Sequence, residues 1–84
     1  MKPNNHPPAD DLARGIQALN EKLLGAYLRR IGDGNPRVRR KAARGLGSLG
    51  PFAAEAVPVL ESLCRDRHPA VRDSARWALA KIRS

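Results

Sequence analysis

The chain repeats itself. Gly32-Asp33-Gly34-Asn35-Pro36-Arg37-Val38-Arg39 returns as Arg65-Asp66-Arg67-His68-Pro69-Ala70-Val71-Arg72. Asp33 matches Asp66, Pro36 matches Pro69, Val38 matches Val71 and Arg39 matches Arg72. Further on, Ala42 matches Ala75, Leu46 matches Leu79 and Leu49 matches Ile82. Every pair is 33 residues apart. A fixed offset over so many positions marks a repeat array. Each unit of such an array is a supersecondary element that buries its apolar side only against a neighbour. This constrains the architecture strongly and points to binding rather than catalysis.

The repeated units read as helices. From Asp11 to Ile31 the apolar residues Leu12, Ile16, Leu19, Leu23, Leu24, Tyr27, Leu28 and Ile31 recur in steps of three and four, one broad helical stripe. Asp10 or Asp11 suits its N-cap. Gly32-Asp33-Gly34 is expected to end it through a left-handed glycine. Asn35 then caps a second helix with Pro36 in its first turn, and Val38, Ala42, Gly45, Leu46 and Leu49 form its core side. Gly50-Pro51 closes that helix. A third runs from Phe52, with a loose or 3₁₀ start because Pro58 lies inside it. Its apolar set is Val57, Leu60, Leu63 and Cys64. Pro69 opens a fourth, with Val71, Ala75, Ala78, Leu79 and Ile82 facing the core. No strand pattern appears. The expected layout is a polar, disordered lead-in over 1–9 and a repeat domain over 10–84. Its helices fall at about 11–31, 36–49, 52–65 and 69–83.

The unit Asp-x-x-Pro-x-Val-Arg-x-x-Ala-x-x-x-Leu, a Gly-Pro turn and then Ala56-Val57-Pro58-Val59-Leu60 resembles the HEAT-repeat superfamily over about residues 11 to 83. The period is closest to the short type named after phycobilisome lyases. The resemblance implies an all-α fold: an α-solenoid of two stacked HEAT-like helical hairpins, four helices in all. It also implies that the second helix of each hairpin lines the concave face. Asp33, Arg39, Asp66 and Arg72 would then be a structural ladder between units. Arrays normally want three or more repeats with polar caps. Two hairpins therefore need capping by the long first helix, or completion by another copy or a partner.

Sixteen Lys and Arg face eight Asp and Glu, a net charge of +8. The balance favours anionic partners. Between Arg29 and Arg44 there are seven basic residues and one acid. On the second helix Arg37, Arg40, Lys41 and Arg44 share one arc, away from Val38, Ala42, Leu46 and Leu49. One repeat later, Trp77 occupies the position of Arg44. It is expected to point to solvent beside the basic patch, or else to fold over the C-terminal end as a cap. An exposed Trp beside arginines suits an interface hot spot or base stacking. Tyr27 and Phe52 read as packing residues.

Nothing points to chemistry. Cys64 is the only cysteine, and with His68 it completes neither a metal set nor a nucleophile with an orienting third group. The glycines are not a phosphate loop. No catalytic residue, metal or cofactor is expected. With no secretory h-region in Met1 to Asp10, no long apolar run and a lone thiol, a soluble cytoplasmic protein is expected. The leading expectation is a non-enzymatic adaptor that binds an acidic protein partner through Arg37, Arg40, Lys41, Arg44 and Trp77. The alternative is a module that grips nucleic-acid phosphates through the helix 36–49. Self-association through the open solenoid ends is a further expectation; a membrane partner is not.

Overall fold

The computed structural model describes residues 9–84, and the expected lead-in lies outside the described residues except for Ala9. Four α-helices follow one another: α1 (Ala9–Arg30), α2 (Pro36–Ser48), α3 (Val57–Leu63) and α4 (Pro69–Arg83). A 3₁₀ segment, Gly50–Ala56, leads into α3. There is no strand among the described residues. The chain forms two helical hairpins, α1–α2 and α3–α4, whose second helices α2 and α4 share the broadest contact in the fold.

Local chemistry sets the boundaries. The Asn35 carboxamide oxygen accepts the Arg37 N–H at 2.9 Å, and Pro36 follows where no N–H is required. His68 holds the same position before Pro69, but its side chain makes no capping bond. Instead the Asp66 carboxylate takes up the His68 N–H at 2.9 Å. Pro58 sits in the first turn of α3, so the preceding chain completes its turn as a 3₁₀ segment rather than a longer α-helix. The left-handed turn expected at Gly32-Asp33-Gly34 does not occur there. Among the described residues only Gly50 has positive φ, at 60°. The first loop instead turns on the Asp33 carboxylate, which accepts the Asn35 N–H at 2.8 Å.

The core is small and lies between the two hairpins. Leu46, Leu60, Val71, Ala43, Ala53, Ala56, Ala75 and Ala78 have no solvent exposure. Ala43, Gly47 and Ser74 are buried although the helical pattern does not place them in the core. Gly47 belongs to the seam of α2 and α4, where its missing side chain lets the two backbones approach. A Cβ on Gly47 would lie 2.7 Å from the Ala78 Cα. Within each hairpin, size is traded between partners. Leu60 and Ala78 of the second unit correspond to Tyr27 and Gly45 of the first, and the Tyr27 ring lies over Gly45, filling the space of a methyl group.

Of the ladder implied by the resemblance, one rung joins the hairpins, Arg39 to Asp66, while the Asp33 carboxylate and Arg72 bond within their own units. Arg39 donates from Nε to Asp66 Oδ2 at 2.9 Å and from Nη2 to Asp66 Oδ1 at 3.1 Å. Its Nη1 donates to the carbonyls of Asp33 and Gly34. Arg72 donates to the Asp66 carbonyl at 2.6 Å. The Arg39 hydrogen bonds, helped by the His68 N–H, hold the Asp66 carboxyl below its ordinary pKa against the opposing pull of burial. The same bonds raise Arg39 above its ordinary value.

One part of the molecule leaves the stack. α1 has 22 residues and α2 has 13, so α1 is longer by roughly 13 Å. Its second half packs on α2, with Leu24 and Ile31 buried. Its first half projects, and the described residues extend over 62 × 25 × 17 Å. Leu12, Ile16 and Leu19 remain 54–57% exposed.

Candidate interaction face

The charged face is built by α2 and continued by α4. Arg39, Leu46 and Leu49 point to the core, and Ala43 and Gly47 point to α4. Arg37, Arg40, Lys41 and Arg44 are thereby left on the outer arc of α2, and all four are exposed. None of the four forms an ion pair with a carboxylate among the described residues. The helix keeps four like charges on one arc because its opposite side is fixed by the Arg39–Asp66 pair and by apolar burial.

The next unit does not repeat the pattern. Ala70, Asp73 and Trp77 stand where α2 carries Arg37, Arg40 and Arg44. Asp73 is engaged by Arg76 at 3.3 Å. The arc of four cations is therefore confined to α2, and α4 adds only Lys81 beside Trp77. At its edge a groove lies between the N-terminal ends of α2 and α4, lined by Pro36, Arg37, Arg40, His68, Pro69 and Ala70, with Val71 at its floor.

Trp77 joins this face in a way the sequence does not anticipate. It is half-buried rather than solvent-facing, and it does not cap the C-terminal end. Its ring leans toward α2, with Cζ3 and Cε3 over Gly47, where a Cβ would lie 2.6 and 2.9 Å from them. The Arg44 guanidinium covers the ring at 4.1 Å from its centre, and the Lys81 ammonium lies at 5.8 Å. All five predicted residues thus belong to the α2–α4 surface, but Trp77 is a packed platform under two cations. The signal that could have shown this is Gly47, a residue without a side chain on the neighbouring helix. Tyr27 and Phe52 are half-buried against the core, as packing residues are. Cys64 and His68 are both half-buried. No group of three or more His, Cys, Asp or Glu is placed to hold a metal among the described residues. No helix among them is long and apolar enough to cross a membrane.

Two stacked helical hairpins, joined by an Asp–Arg rung and presenting their second helices on one face, define an α-solenoid repeat protein. The model for HEAT repeats matches residues 8–84, and the chain belongs to that family. Comparison with curated proteins and with solved structures gave no match. HEAT repeats serve as scaffolds for protein–protein contacts, using the extended surfaces that stacking creates.

Proposed function

We propose that this chain is a non-enzymatic adaptor that holds an acidic protein partner on the α2–α4 face. The observation that carries the reading is the arc of Arg37, Arg40, Lys41 and Arg44. Four exposed cations without carboxylate partners, ending on the Arg44–Trp77 stack, suit an acidic surface with an apolar centre. Two features favour protein over nucleic acid as the ligand. The arc of four cations is confined to α2, and Asp73 stands where α4 would continue it. Trp77 lies under Arg44 and against Gly47, so its face is not free to stack a base.

The test is a titration of two labelled probes, a poly-glutamate peptide and a duplex DNA, at low and near-physiological salt. The peptide is expected to bind and to lose about tenfold or more in affinity in Arg40→Glu/Arg44→Glu. DNA that binds more tightly than the peptide, with a steep salt dependence removed by the same variant, would replace this reading with phosphate binding. Unchanged binding of both probes would leave the arc as a solvated helix face.

A further inference from the structure

The exposed residues of α1 are the visible part of a larger uncovered face. At 100° per residue Leu12, Ile16, Leu19 and Leu23 form a narrow stripe. It is turned from the molecule's own core, which is met by Leu24, Leu28 and Ile31, and only its edge residue Ile16 borders a groove shared with Phe52. The stripe runs down the helix into Tyr27 and Arg30. There it meets a groove of about 190 Å³ closed by Val38, Lys41 and Ala42 of α2. The repeat shows what this groove is. Val38 corresponds to Val71, which is fully buried beneath α2, whereas Val38 is only half-buried. This is therefore the surface on which a preceding hairpin would stack. The opposite end of the array is closed by charge. Asp73 and Arg76 pair there, and Arg76 stands where the first unit has the buried Ala43. A polar cap is what a terminal repeat needs, and only the α1 side lacks one.

We infer that the occupant is a second copy of this chain, docked by the same face about a two-fold axis with the two α1 helices antiparallel. The charges of α1 select this arrangement. Its first turn carries Asp10 and Asp11 and its last turn Arg29 and Arg30. Antiparallel alignment along the full helix sets each acidic end beside the other copy's basic end. Asp11 and Arg29 lie on the same flank of the stripe, as pairing across such a seam requires. The same register sets Ile16 opposite Leu23 and Leu12 opposite Tyr27 of the other copy. Leu12 of each copy is then brought to the Tyr27–Val38–Ala42 groove of the other, with the small Ala13 alongside. The contact is isologous, so it closes at two copies. Two helices about 33 Å long and 10–12 Å wide cover on the order of 800 Å². The two grooves bring this to the roughly 1,000 Å² that a specific interface needs.

Sedimentation equilibrium of the full chain over a wide concentration range tests the inference. A monomer–dimer equilibrium is expected. Ile16→Lys should raise its dissociation constant by about tenfold or more, with an unchanged far-ultraviolet circular dichroism spectrum per monomer and an unchanged melting transition of the body. Asp11→Arg should weaken the dimer and Asp11→Arg/Arg29→Asp should restore it. A chain that stays monomeric up to millimolar concentration overturns the proposal. So does a dimer indifferent to Ile16→Lys, and so does assembly beyond two copies, which would mean stacking end to end.

Discussion

At Gly47 α4 comes close against α2, and the nearest atoms include backbone. A methyl group there meets the Ala78 Cα at 2.7 Å and the Trp77 ring at 2.6 Å. Backbone cannot swing aside, so Gly47→Ala should destabilise by about 1–3 kcal/mol, read as a lower midpoint in urea. For Gly45→Ala the nearest atoms all belong to the Tyr27 ring, a side chain rather than backbone, and the change gains helix propensity of up to about 1 kcal/mol. Its cost should be smaller. In a Tyr27→Leu background the sign should reverse, because that pair recreates Leu60 over Ala78. If Gly45→Ala costs the same with and without Tyr27→Leu, the size trade between the units is wrong. Asp66 supplies the second residue-scale prediction. Its carboxyl is held low in the folded state by Arg39. Stability from this pair is therefore fully present above the unfolded carboxyl pKa, about 3.9, and is lost as pH falls through the lower folded value. Urea midpoints measured from pH 6 down to acid should fall with this dependence in the parent chain and flatten in Asp66→Asn. Arg39→Ala should lower the melting temperature more than Arg76→Ala, since Arg39 and Asp66 are 12% and 9% exposed and the Arg76–Asp73 pair is 62% and 76% exposed.

At the scale of elements, the sequence told more about helices than about what covers them. The 33-residue offset, Asn35-Pro36 and Pro58 foretell α2, α4 and the 3₁₀ entry to α3, because each acts through local backbone chemistry. The Arg39–Asp66 rung was legible through the resemblance to HEAT repeats, which assigns a ladder to the recurring Asp and Arg. Periodicity alone cannot say whether a stripe is buried. Leu12, Ile16 and Leu19 continue the pattern of Leu24 and Ile31, yet α2 ends before it reaches them and only Phe52 borders Ile16, across an open groove. The burial of Trp77 is illegible for a related reason, since correspondence with Arg44 gives a position on the helix but not the space that Gly47 opens beside it. The first half of α1 has almost no tertiary support, and helices of under about 12–15 residues are marginal alone. Deleting residues 9–15 should therefore leave the thermal midpoint of the dilute chain nearly unchanged. Amide exchange along Leu12–Leu19 in the intact chain should be fast when dilute and slow when concentrated. Slow exchange at every concentration would mean that the projecting helix is stabilised within one copy.

For the molecule as a whole, the two faces should answer salt in opposite ways. Each copy carries +8 at neutral pH, so two copies repel one another, and salt screens that repulsion over a Debye length of about 8–10 Å. The α1 seam is held chiefly by apolar burial, which salt does not weaken. Its Asp11–Arg29 contacts are exposed pairs of the kind worth about 0–1 kcal/mol. Screening thus removes more repulsion than attraction, and the dimer fraction should rise between low and near-physiological salt. The α2–α4 face depends on Arg37, Arg40, Lys41 and Arg44 meeting an acidic surface, so its affinity should fall over the same range. Trp77 is the only tryptophan and sits on that face under Arg44, so its fluorescence reports the second event. Sedimentation reports the first. A salt series that follows both signals separates the faces without any substitution. If dimer fraction and poly-glutamate affinity fall together, self-association is electrostatic and runs through the basic arc. If they diverge, one surface joins copies while Arg37, Arg40 and Arg44 remain free to bind a partner, Lys41 lining the groove at the seam, and each dimer carries two such faces.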